Sequence, residues 1–367
     1  MPTLRELAVV GQSVWIDTLS RSMLTSGELA GLIDQGARGV TDNPTILDKA
    51  ITGSADYDDD IRRMARLGKS PEAIYEVLAI DDVGRAADLL RPVYNLLDAT
   101  DGFVSLEVNP HKDYDTAASI AEVRRFAAIL NRPNVLFKVP ATDQGIPAIE
   151  QLISEGINEN ITLMFSLAQY QAVAEAYLNG LERLQRAGGD ITRVASVASF
   201  FVSRVDTAVD HKLQTIGAMD LQGHIAIANA KMAYVRFRAI MGTQRWQALA
   251  RAGARPQRPL WASTGTKNPR YPDSHYADNL IGPSTVNTMP LATLQAFLDH
   301  GVIAPRVEMG WDEAQYQLAR LADLGIELDI ITEQLTEDGV NIFAESYDHL
   351  LGKITEKVQT ARQQRAA

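Results

Sequence analysis

Short apolar, β-rich runs recur along this chain, and each is followed by a longer stretch able to form a helix. The candidate strands are 13–19, 39–43, 103–108, 135–139, 160–165, 194–202, 259–264 and 280–283. Alternation of this kind builds a parallel sheet, because successive parallel strands need a crossover connection. About eight units favour closure into a (β/α)8 TIM barrel, an α/β fold. The run VLFKVP (135–140) is almost continuously apolar, as a parallel strand covered on both faces requires. The segment 166–187 instead spaces its apolar residues three and four apart, with charges on the other side. An open doubly wound sheet is the alternative, but no Gly-rich dinucleotide loop stands at the first strand–helix turn.

The 367 residues exceed the roughly 250 of a plain barrel. The expected organisation is one barrel domain over 1–367 with additional helices. Segment 52–68 is polar and acidic and reads as a surface excursion. Segment 330–367 reads as a long C-terminal helical extension, too long for a last barrel helix alone and suited to cross one end of the barrel.

Composition narrows the function classes. A formal charge of −11 argues against a chain-wide nucleic-acid footprint and against attraction to anionic lipids. A few local Lys and Arg can still hold a phosphate in an acidic protein. With no Cys, thiolate nucleophiles, iron–sulfur clusters and zinc–thiolate sites are excluded. The six His are scattered without ligand spacing, so no metal is expected. No signal peptide or spanning segment is visible, which gives a cytoplasmic location as the expectation. Neither a monomer nor a homodimer is favoured.

The informative residues are polar groups inside apolar strands or at their C-terminal ends, where a barrel of this class builds its active site. Lys138 lies within VLFKVP, where burial penalises an unpaired ammonium and favours the neutral, nucleophilic amine. Asp17 and Glu107 lie in or end the first and third runs, and two carboxylates near an amine can move protons. A buried ion pair with Lys138 is the competing explanation. Asn43, before Pro44, fits turn chemistry as well as a ligand contact. Asn160 and Thr162 put an amide and a hydroxyl on the fifth strand. Ser199, Arg204 and Lys267 lie in segments that leave later strands and enter a loop or helix start, where backbone amides favour anions; Arg204 could equally pair with Asp206.

Taken together, the segments WIDTLSR, GVTDNPTI, VSLEVNP with DYDT, LFKVPAT, NENITLMFS, ASFFVSRVD and LWASTGTKN resemble the transaldolase family, in order along nearly the whole chain. The length resembles the larger bacterial members rather than the short aldolase-like ones. The resemblance implies a cofactor-free class I enzyme of the pentose phosphate pathway. It would move dihydroxyacetone from sedoheptulose 7-phosphate to glyceraldehyde 3-phosphate, giving erythrose 4-phosphate and fructose 6-phosphate. By position, Lys138 resembles the Schiff-base lysine and Asp17 the acid–base residue for the C4 hydroxyl. Glu107 and Thr162 resemble the pair that positions a catalytic water. Asn43 and Asn160 match substrate contacts, Ser199 and Arg204 the phosphate end, and Phe201 an aromatic beside the water. One departure stands out: better-known members carry Arg in an A-S-F-R segment, where this chain has WASTGTKN, which leaves Lys267 for that role. The rival readings are a fructose 6-phosphate aldolase on the same scaffold and a non-enzymatic sugar-phosphate-binding barrel.

Overall fold

The apolar runs become eight parallel strands that close in chain order in the structure, a computed structural model that describes residues 1–366. They are β1 (Gln12–Ile16), β2 (Gly39–Val40), β3 (Phe103–Glu107), β4 (Val135–Pro140), β5 (Glu159–Met164), β6 (Ser196–Phe201), β7 (Arg258–Ala262) and β8 (Thr285–Met289). Closure is made by β8 against β1, in register from Gln12↔Thr285 to Ile16↔Met289. The chain is therefore a (β/α)8 barrel with added helices. Among the described residues no helix is long and apolar enough to cross a membrane.

One strand expectation is corrected. The eighth strand is not 280–283 but Thr285–Met289. Leu280 and Ile281 are buried, yet they lie outside any strand, and Pro283 just after them has no N–H for a ladder. Thr285, Asn287 and Thr288 are tolerated in the sheet because each finds a partner: Gln12, Thr264 and Thr41 respectively.

Side chains alternate along each strand, so every second residue enters the barrel. Trp15 fills much of the interior and is fully buried. It has room only because β2 carries Gly39, where an added Cβ would sit 2.5 Å from the indole.

The helix Leu328–Ala366 lies across the C-terminal end of the barrel. Its buried Phe343, Tyr347, Leu350, Ile354 and Val358 recur three and four residues apart, one face of a helix. That face packs on the helices Pro44–Thr52, Asp58–Arg66 and Pro71–Leu96. Within 52–68, the helix Asp58–Arg66 buries Ile61, Met64 and Ala65; of its acidic first turn only Asp59 is exposed, while Asp58 and Asp60 pair with Lys357 and Arg21. Polar contacts fix the register of the long helix: Thr45 with Ser346 at 2.8 Å, and Lys357 with Asp58 at 2.6 Å.

Candidate active site

At the C-terminal ends of the strands, under the long helix, is a cavity of about 110 Å3. Its wall includes Asp17, Asn43, Lys138, Thr162, Ser199, Phe201, Arg204 and Lys267. Glu107 and Asn160 stand directly behind it. Asn160 accepts a hydrogen bond from Ser199 Oγ at 2.6 Å and donates to Ser105 Oγ at 2.9 Å. Positions spread over 250 residues of sequence thus converge because the strand ends and the segments that leave them meet at the same end of the barrel.

Lys138 is not an isolated amine. Its Nζ donates to Glu107 Oε2 at 2.6 Å and to the Asp42 carbonyl at 2.7 Å, and both side chains are almost wholly buried. The two residues are also register partners on β3 and β4, which brings the pair together without a loop. Burial raises the Glu107 carboxyl above its ordinary value, opposed by the Lys138 charge. Asp17 accepts from Thr41 Oγ1 at 2.8 Å. Burial raises it too, opposed chiefly by Lys138 and then by the Thr41 bond, Lys267 and Arg204. A lysine flanked by two carboxylates of raised basicity can exchange its proton and attack a carbonyl.

Asp42 belongs to the same cluster, although it reads in the sequence as part of an Asn-Pro turn. Its Oδ1 accepts from the Glu107 amide at 3.3 Å, while Oδ2 is buried without a partner among the described residues. Burial pushes this carboxyl up to about 7, against the pull of Lys138. The sign follows: a raised acid favours the folded state at low pH, and that contribution is lost between about pH 4 and 7. Asp42→Asn is expected to exceed the wild type in stability by about 1–2 kcal/mol at pH 8, with the difference shrinking toward pH 4. Urea unfolding at both pH values checks this.

At the other side of the cavity, Arg204 makes no ion pair among the described residues. Asp206 does not claim it: that carboxylate accepts from the Ala226 amide at 2.7 Å and from Tyr276 at 3.0 Å. The guanidinium lies 5.6 Å from the Phe201 ring centroid, and burial lowers its pKa. Exposed Lys267 stands at the rim. The two cations together form an anion-binding edge.

Asn43 is a turn residue that also reaches the cavity. Its Oδ1 caps the helix Pro44–Thr52 by accepting from Ile46 N at 2.9 Å, and the residue also lines the cavity. Thr162 Oγ1 is buried and has no protein partner among the described residues. Sequence reasoning missed Thr41, Asp42, Thr288 and Phe343. The first two lie inside the GVTDNPTI segment and could have been found there; Phe343 reaches the site only through the packing of the long helix.

A family model described as transaldolase/fructose-6-phosphate aldolase matches residues 14–354. The chain belongs to this family. It is 48% identical over 366 residues to a transaldolase of Acidothermus cellulolyticus, covering 99% of this chain and 98% of the relative. It is 46% identical over 360 residues to a transaldolase of Thermobifida fusca, covering 97% and 98%. A protein of Nostoc sp. named transaldolase 2 is 44% identical over 371 residues, covering 97% of each chain. The matched segment, residues 14–354, contains every residue that lines the cavity described above.

Proposed function

We propose that the protein is a transaldolase that transfers a dihydroxyacetone unit from sedoheptulose 7-phosphate to glyceraldehyde 3-phosphate through a Schiff base on Lys138. The observation that carries this reading is the buried Lys138–Glu107 contact of 2.6 Å in a cavity that also presents Asp17 and the unpaired Arg204. Glu107 takes the lysine proton, and the neutral amine attacks the donor ketone at C2. The carbinolamine loses its hydroxyl as water, with Glu107 returning the proton and the Thr162 hydroxyl holding the water. Asp17 removes the C4 hydroxyl proton, the C3–C4 bond breaks, and its electron pair passes into the iminium to give an enamine. Erythrose 4-phosphate leaves. The enamine then attacks the aldehyde of glyceraldehyde 3-phosphate, Asp17 protonates the new alkoxide, and hydrolysis of the imine releases fructose 6-phosphate. Arg204 and Lys267 take the phosphate, with Ser199, held by Asn160, beside them.

The aldolase reading differs in one step, protonation of the enamine by water. Phe201 packs on Phe165, with ring centroids 5.1 Å apart, and Phe343 closes the cavity from the long helix. Neither Phe201 nor Phe343 carries a hydroxyl that could relay a proton from water to the enamine, which favours transfer. Fructose 6-phosphate supplied alone should be consumed only to the extent of enzyme-bound intermediate, and steady turnover should require an added aldose phosphate. Release of free dihydroxyacetone at a comparable rate without acceptor would instead establish the aldolase.

A further inference from the structure

The opposite, N-terminal mouth of the barrel holds a larger cavity, of about 350 Å3, remote from Lys138. Its inner wall is apolar, with Phe103, Leu136 and Val197 projecting from the strand starts. Its rim carries Arg38, Arg255 and Arg258 against one buried acid, Asp101. That acid is fully committed. Its carboxylate accepts from Ser13, from Trp15 Nε1 at 2.9 Å and from the Gly102 amide at 3.2 Å, and it pairs with Arg258 at 3.3 Å.

The other two guanidinium groups are less committed. Arg38 makes no side-chain hydrogen bond or ion pair among the described residues, although it lines the cavity. Arg255 donates from Nε to the Thr192 carbonyl at 2.6 Å. Its Nη2 pairs with Asp98 at 3.5 Å, but the Asp98 side chain is 80% exposed and is shared with Arg193, also at 3.5 Å. Its Nη1 is buried with no partner among the described residues. A buried donor left unmatched is costly, and three guanidinium groups line one concavity against a single lining carboxylate in a chain whose net charge is −11. Guanidinium forks match the oxygens of a phosphate, and a cavity of this size suits a small organic body.

We propose that the N-terminal mouth is a second, non-catalytic site that binds a small phosphorylated metabolite, its phosphate held by Arg38 and Arg255 and its body against Phe103, Leu136 and Val197. Calorimetric titration of the full chain with inorganic phosphate at low salt tests this without reference to turnover. Two saturable equivalents are expected in the wild type. Arg204→Ala should remove the one in the active site. Arg38→Ala should weaken the other at least tenfold while leaving kcat unchanged, and the loss of a side chain with no partner should not disturb folding. Arg255→Gln, an independent variant, should do the same, and in the wild type glycerol 3-phosphate should bind the second site at least as tightly as phosphate. Phosphate binding that is untouched by both Arg38→Ala and Arg255→Gln overturns the proposal, whereas absence of only the Arg204-dependent equivalent would count against the active-site reading instead.

Discussion

Replacing Lys138 with Arg is expected to lower kcat by at least about 10^4-fold while leaving the protein folded. Arginine keeps the positive charge beside Glu107 and a donor for the Asp42 carbonyl, but it cannot form an imine. The substitution therefore separates covalent chemistry from the buried ion pair. Lys138→Met should lose as much activity and also cost stability, because Glu107 is left without its cation in a closed site. That cost should stay near about 1–3 kcal/mol, since burial already favours the protonated form of Glu107. Coupled assays with thermal unfolding distinguish the two variants. If Lys138→Arg retained turnover, the lysine would be a structural ion-pair member and the covalent step would not run through it.

The second large effect belongs to Asp17. Asp17→Asn keeps an oxygen to accept from Thr41 but removes the base for the C4 hydroxyl, and kcat should fall about 10^2- to 10^4-fold. Imine formation precedes that step and should survive. Borohydride reduction with fructose 6-phosphate should then attach the intact six-carbon sugar to the enzyme, where the wild type carries only three carbons. An Asp17→Asn protein that still yielded the three-carbon adduct at the wild-type rate would assign the proton transfer elsewhere.

Much of this arrangement is legible in the sequence for a physical reason. A charge inside an apolar strand must either pair or work, so Lys138 and Glu107 stand out against VLFKVP and VSLEVNP. Strand β8 escapes the same logic. Its threonines and asparagine look like a loop, and only neighbouring strands reveal that each has an interior partner. Asp42 escapes because Asp-Asn-Pro is ordinary turn chemistry; nothing local shows that its carbonyl meets Lys138 across two strands. The bulge at Leu163, with φ of 53°, is equally invisible in NITLMF, yet it brings that side chain against Gly339 of the long helix. Phe343 enters the cavity from more than 200 residues beyond Lys138 by helix packing alone.

The most direct measurement is borohydride trapping of the wild-type protein with fructose 6-phosphate, followed by digestion and peptide mass spectrometry. A reduced three-carbon adduct is expected, confined to the peptide that carries Lys138 and absent from Lys138→Arg. An adduct on Lys267 or another lysine, or none on protein shown to be folded, would contradict it.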